Sequence, residues 1–203
     1  MNFAYLISFF LAYLLGSIPF GLLWTRLFLG QDIRAIGSHN IGATNVLRTG
    51  SKKLAALTLF CDAAKGMIAV GVASYIFKNN TDGVTFALCG VVVGHIFPIW
   101  LKFKGGKGVA TFAGGILILF PIPGILAILT WTLVLFLTRI SSLSALIAVF
   151  LSPAYVYFFY QNFSPNHIIS FLSQCLFIGL CLLVIYKHHE NIARLLRGKE
   201  KSF

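Results

Sequence analysis

Acidic side chains are scarce in this chain: Asp32, Asp62, Asp82, Glu190 and Glu200 are the five present in 203 residues. Carboxylates so few leave few candidates for a carboxylate-dependent mechanism. The four cysteines (Cys61, Cys89, Cys175 and Cys181) stand singly inside apolar runs without CxxC spacing. That pattern excludes a disulfide framework and a cysteine metal knuckle, and it leaves them as small core residues. No histidine is followed five positions later by aspartate, so an H-x-x-x-x-D dyad is missing, and no G-x-S-x-G nucleophile elbow occurs. Charge of either sign makes up only 10% of the residues.

What fills the space is hydrocarbon. Hydrophobic residues account for 58% of the chain and the mean hydropathy is +0.89, well above what the core of a soluble domain of this length requires. Apolar runs recur near the ~20 residues that a helix needs to cross about 30 Å of lipid. They predict an all-α integral membrane protein, residues 1–203 forming a single polytopic membrane domain. Spans are expected near 3–29, 54–77, 84–101, 121–138, 143–161 and 168–186, with 109–120 left ambiguous. The first run lacks a basic segment before it and reads through any early cleavage point, so it is expected to stay in place as a span.

The ambiguous piece decides the topology. If 109–138 were one helix kinked at Pro121 and Pro123 there would be six spans; if 109–120 is a short helix of its own there are seven. The net charge of +11 chooses between them. With seven transmembrane helices, the N-terminus outside and the C-terminus cytoplasmic, the 16 Lys and Arg residues fall on the inner face, save Lys78 outside and Lys65 within a span. Six spans would move Arg139 and the basic tail outward and erase the bias, so seven are predicted. Topology thereby accounts for the basic residues, and a nucleic-acid partner is set aside. Every polar cluster then lies on one face: 31–53, 102–108, 139–144 and 187–200.

Four such clusters have chemistry in them. In "KFKGGKG" (102–108), Gly105, Gly106 and Gly108 allow backbone N–H groups to converge on an anion, Lys107 adds a full charge, and a helix from Val109 would offer its positive end. A plain glycine turn with inward lysines would read the same way. The loop is not a Walker A motif, because no glycine stands four residues before the "GK" pair and Gly108 replaces the Ser or Thr. The first loop, "DIRAIGSHNIGATNVLRTGSKK" (32–53), is dense in groups that bond oxyanions and hydroxyls: Ser38, His39, Asn40, Thr44, Asn45 and Arg48. A turn and a helix cap would explain one or two of them. The turn "RISSLS" supplies Arg139, Ser141, Ser142 and Ser144. The tail "KHHENIARLLRGKE" (187–200) reads as a basic amphipathic helix carrying His188 and Asn191. Within the spans, Asp62 and Lys65 at i and i+3 share a helix face as a supporting pair, and His95 reads as a packing residue. His188, His189 and Glu190 do not make a metal site, since adjacent helical residues diverge.

Taken together, "GSHNIGATNVLRTG" (37–50), "GHIFPIWLKFKGGKGVAT" (94–111) and "HHENIARLLRGKE" (188–200) resemble the bacterial acyl-phosphate:glycerol-3-phosphate acyltransferases of the PlsY type, over nearly the whole chain. The resemblance implies a multi-pass enzyme of the bacterial inner membrane with its active site at the cytoplasmic face. It would move a fatty acyl group from acyl phosphate to the 1-hydroxyl of glycerol 3-phosphate, giving lysophosphatidate and phosphate in phospholipid biosynthesis. No cofactor, no metal and no nucleic acid are implied; the partners are the two substrates and membrane lipids. Motif matching places catalytic roles on Lys107, His188 and Asn191. It places substrate binding on Ser38, Asn40, Asn45, Arg48, Gly105, Gly106, Gly108, Arg139 and Ser142, with Arg139 the weaker match. His39 departs from the pattern, which has glycine there more often. His188 and a substrate phosphate both stand as candidates for the group that takes the hydroxyl proton. The competing class is a membrane transporter or channel for a small anion, suggested by Asp62 and Lys65 inside a span; the almost wholly apolar outer half of the chain counts against it.

Overall fold

A computed structural model describes residues 2–78, 80–163 and 169–202. The connection at 164–168, and with it the start of the last expected span, lies outside the described residues. All regular elements among the described residues are helical. In chain order they are α1 (Phe3–Gly16), α2 (Phe20–Leu29), a 3-10 turn (Ile33–Ala35), α3 (Ala43–Leu47), α4 (Lys52–Phe77) and α5 (Thr81–Ile96). A second 3-10 turn (Ile99–Leu101) precedes α6 (Val109–Leu119), α7 (Pro121–Thr138), α8 (Ser141–Phe163), α9 (Phe171–Tyr186) and α10 (His189–Leu196).

Polar residues set where the helices begin. Ser51, Asn80 and Ser170 each accept a hydrogen bond from a backbone N–H in the first turn of α4, α5 and α9. Large apolar side chains such as Phe60, Tyr75, Phe136, Phe150 and Phe171 project outward, which suits lipid and would not suit water. α5 is the most enclosed of the long helices. Against it α1 packs backbone to backbone: a Cβ added at Gly90 or Gly94 would lie 2.2 Å from the carbonyl oxygens of Phe9 and Tyr13. α4 meets α6 in the same way at Gly66 and Gly114. Such close approach is how small residues join helices where lipid supplies no hydrophobic drive.

Among the described residues, five helical stretches are long and apolar enough to cross a membrane: Phe3–Leu29, Lys52–Phe77, Thr81–Leu101, Pro121–Thr138 and Ser141–Phe163. A sixth is added if α9 and α10, bent by 56°, are counted together. The stretch 109–138 is not one kinked helix. It breaks at Phe120, ahead of Pro121, and the chain turns sharply enough to set Gly124 against the backbone of Leu117. α6 has 11 residues, a rise of only ~16 Å against the ~30 Å of hydrocarbon.

The first span is also broken, between α1 and α2 at Ser17–Pro19, where Pro19 withholds an N–H from the helical ladder. The carbonyl of Ile18, freed there, accepts a hydrogen bond from Lys65 Nζ at 2.9 Å and a longer one from Phe20 N at 3.2 Å. Lys65 pairs with Asp62 Oδ1 at 2.8 Å, and that oxygen lies 3.5 Å from His95 Nδ1. All three side chains are buried. The expected supporting pair is therefore part of a larger polar knot joining α4, α5 and the break in the first span.

Candidate active site

The first loop is tied down before it can bind anything. Asp32 accepts from the backbone N–H of Arg34 and from the side chains of Arg34 and Arg26. The Arg34 contact holds its carboxyl well below the usual carboxylate range. Asn45, 1% exposed, is the knot of the loop. Its Nδ2 donates to the carbonyls of Ile33 (3.0 Å), Ile36 (2.9 Å) and Asn40 (2.8 Å), and its Oδ1 accepts from Ser38 N (2.9 Å). Both amide hydrogens of Asn45 are engaged by backbone, so its contribution is the shape of the loop. Asn40 Oδ1 accepts from Gly42 N, which leaves its amide hydrogens available. His39 adopts φ +56, a conformation glycine takes without strain, and stands outside the cavity described below.

A cavity of about 800 Å³ opens beside this loop. At its polar end stand Ser38, Asn40 and Arg48 from the first loop, Lys107 and Gly108 from the glycine segment, Ser142 from the start of α8, and His188 and Asn191 from the tail. Nine of the expected site residues thus share one chamber, Asn45 included, although they come from four separated segments. Thr44 Oγ1 lies 3.3 Å from Ser141 Oγ, closing the first loop onto α8. The other end of the chamber is apolar and runs between membrane helices, past Val109 and Phe112 on α6, Ile128 and Trp131 on α7, and Ala145, Ala148 and Val149 on α8. Ser142 to Ser152 on α8 covers a depth of ~15 Å. Small residues on α8 keep this slot open.

Three of the expected residues stand apart from the cavity wall. Gly105 and Gly106 do not line the cavity. Their N–H groups donate to the carbonyls of Ile96 (3.1 Å) and His95 (3.0 Å), which ties the segment to the end of α5. Arg139 is likewise absent from the cavity wall; it caps α7 with φ +58 and points its exposed side chain elsewhere. The cations at the polar end are Arg48, Lys107 and Lys201.

The electrostatics of the chamber follow from burial. Lys107 Nζ donates to Asn191 Oδ1, and burial lowers its pKa to about 8. His188 is 3% exposed. Its Nδ1 lies 2.8 Å from the Val184 carbonyl, which can only accept, so Nδ1 carries the proton and Nε2 presents a lone pair. Burial, with the Lys107 charge nearby, lowers the imidazole to about 4 and keeps it neutral near pH 7.

Sequence reasoning missed Glu200. Its Oε1 accepts from Ser142 Oγ (2.8 Å) and Asn191 Nδ2 (2.6 Å), and its Oε2 from Arg194 Nε (2.6 Å). Burial pushes its carboxyl up, but the bonds from Arg194, Asn191 and Ser142 outweigh that and hold it below its ordinary range. Glu200 therefore fastens the tail to α8. The one available signal was an acidic residue directly after the basic run Arg194, Arg197 and Lys199.

Taken as chemistry, the chamber offers cationic and hydrogen-bonding groups for an anion, a neutral imidazole beside them, and an apolar slot for a chain of methylenes. The family described as glycerol-3-phosphate acyltransferase matches residues 6–198. A glycerol-3-phosphate acyltransferase of Bartonella quintana (strain Toulouse) is 51% identical over 196 residues, covering 96% of this chain and 89% of that protein. The crystal structure of PlsY (YgiH), an integral membrane glycerol 3-phosphate acyltransferase, in its glycerol 3-phosphate form superimposes with a TM-score of 0.88 at 36% identity, covering 98% of this chain and 95% of that one. Its lysophosphatidic acid form gives 0.84 over the same shares of the chains.

Proposed function

The chain belongs to the glycerol-3-phosphate acyltransferase family, and we propose that it takes its acyl group from an acyl phosphate and delivers it to the 1-hydroxyl of glycerol 3-phosphate. The products are 1-acylglycerol 3-phosphate and inorganic phosphate, an early step of phospholipid biosynthesis. The observation that carries this reading is the two-part chamber: a cationic polar end continuous with an apolar slot between membrane helices. Both the donor and the product are half lipid and half phosphate, and each half has its own lining.

An acyl phosphate is already an activated mixed anhydride, so no acyl-enzyme is needed. The protein has to hold two anionic substrates together and stabilise charge as phosphate leaves. Arg48 and Lys107 hold phosphate groups. Ser38, Asn40 and Ser142 orient the glycerol, while Asn191 keeps the Lys107 ammonium in place. The 1-hydroxyl oxygen attacks the acyl carbonyl carbon, and the bond from that carbon to the phosphate oxygen breaks. His188 Nε2 accepts a hydrogen bond from the attacking hydroxyl and orients it. An imidazole lowered to about 4 is a weak base, which favours a substrate phosphate oxygen as the final acceptor of the proton.

The same reading places the chamber at the cytoplasmic face of the bacterial inner membrane, with seven membrane helices, α6 the short one, and the N-terminus outside. Accessibility labelling of single cysteines in the first loop, the glycine segment and the tail tests this part: all three must react from one side. The activity test uses purified protein in detergent with palmitoyl phosphate and glycerol 3-phosphate, reading phosphate release beside a Lys107→Ala control. Turnover with palmitoyl phosphate and none with palmitoyl-CoA is expected. Turnover with palmitoyl-CoA alone would overturn the choice of donor.

A further inference from the structure

His95 is 4% exposed, and with Asp62 it forms part of the wall of the chamber. Its Nδ1 lies 3.3 Å from Thr111 Oγ1 on α6 and 3.5 Å from Asp62 Oδ1 on α4. Asp62 is in turn paired with Lys65, whose ammonium reaches the freed carbonyl of Ile18. The ring is thereby clamped by two helices. What it presents to the glycine segment is a wall: a Cβ added at Gly106 would lie 2.0 Å from His95 Nε2, 2.8 Å from Cδ2 and 3.0 Å from Cε1.

Gly106 does not owe its identity to backbone conformation. The glycines with positive φ are Gly30, Gly37, Gly50, Gly108 and Gly198, and Gly106 is not among them. Nor does it line the cavity or offer an N–H to a ligand, since that group is held by the carbonyl of His95 itself. The remaining demand for glycine at this position is the imidazole. The next residue in the chain is Lys107, whose ammonium meets Asn191 in the chamber.

We propose that His95 is a positioning residue for the acyl transfer: its imidazole, clamped by Asp62 and Thr111, sets how closely the glycine segment approaches α5 and so fixes where Lys107 stands. The inference rests on the functional reading of Lys107 given above. Restoring ordinary contact around a methyl group at Gly106 requires the segment to retreat by about 1.4 Å, and an error of ~1 Å in a substrate-positioning group costs on the order of a hundredfold in rate.

The test is a double-mutant cycle on the purified full chain: Gly106→Ala, His95→Ala and the two combined, assayed with palmitoyl phosphate and glycerol 3-phosphate well below the unfolding temperature of each variant. Gly106→Ala alone is expected to lose about a hundredfold in kcat/KM and His95→Ala roughly tenfold or less. The double variant is expected to recover to within about threefold of His95→Ala, because the wall and the methyl group that strikes it have been removed together. A second readout separates positioning from mere stability. The alkaline limb of kcat/KM that belongs to Lys107 moves upward in Gly106→Ala, as the displaced ammonium gains solvent, and returns in the double variant.

Losses that multiply in the double variant, with the limb unmoved, overturn the proposal. If His95→Ala does not yield folded protein, His95→Ser keeps a hydroxyl toward Thr111 without the ring and carries the same cycle. Should the wild-type protein turn over neither substrate, the functional reading fails. The cycle is then read in apparent Tm, where non-additive recovery still supports the His95–Gly106 collision and additivity rejects it.

Discussion

Raising the pH should switch this enzyme off through Lys107, and the midpoint is set by burial. The ammonium is taken out of water first of all, which lowers its pKa to about 8; Glu200 and Glu190 favour the charge, while Arg194 and Arg48 oppose it. If the cationic form is the one that binds phosphate, kcat/KM, which reports the free enzyme, should be flat below the midpoint and fall above it. One unit above, about one molecule in eleven keeps the charge, so kcat/KM drops roughly tenfold, and two units above about a hundredfold. An ordinary exposed lysine, titrating near 10.4, would still be about 96% charged at pH 9. The assay is initial-rate phosphate release in detergent between about pH 6.5 and 10, with both substrates well below KM. Lys107→Arg supplies the control: guanidinium keeps its charge throughout the range, so whatever activity survives should lose the limb. A wild-type profile flat to about pH 9.5, or one with the same limb in Lys107→Arg, would refute the reasoning.

Three further outcomes follow from the geometry. Asn45→Asp should lower the apparent Tm and abolish activity, because a carboxylate cannot donate to the carbonyls of Ile33, Ile36 and Asn40, and each buried acceptor left bare costs about 1–3 kcal/mol. A raised KM at unchanged Tm would make Asn45 a ligand instead. His188 is held neutral in the fold at about 4 against an ordinary 6.5, so the unfolded chain binds the extra proton between those values and stability rises with pH across that window. Acidifying through it should cost up to ~3 kcal/mol, and His188→Gln should flatten that stretch of the curve of apparent Tm against pH. Ala148→Phe should narrow the slot roughly 9 Å from Ser142. Denying burial to even three methylenes, at about 0.8 kcal/mol each, comes to about 2.4 kcal/mol, so preference for palmitoyl over octanoyl phosphate should fall roughly fiftyfold in competition assays.

Hydropathy made the helices legible, because length and apolarity are local properties, and proline at 121 marked the turn between α6 and α7. The break at Ser17–Pro19 was harder to see: Pro19 sits within an unbroken apolar run, and its effect depends on Lys65, which lies 47 residues after Ile18. At the site, residue types could be read but their partners could not. Asn45 and Asn191 are the same side chain in the same kind of motif, yet one spends its donors on the loop while the other meets Lys107 and Glu200. Glycine at 106 reads as an anion cradle by composition, whereas its neighbour in space is an imidazole on α5. Glu200 reaches Ser142 across 58 residues, a pairing that no periodicity announces. The unusual residue at 39 has a local account, since φ +56 is a conformation in which glycine is the unstrained choice.

The break in the first span also has a meaning for how the molecule is made. Ile18 leaves the ribosome well before Lys65, and at about 5–20 residues per second the separation of 47 residues takes roughly 2–10 s to synthesise. Through that interval the α1–α2 segment carries a carbonyl whose strongest partner has not yet been translated, in a solvent where an unmet polar group costs several kcal/mol. The nascent segment is therefore best sheltered at the insertion machinery until α4 arrives, and arrival of the lysine is the event that lets the first span settle.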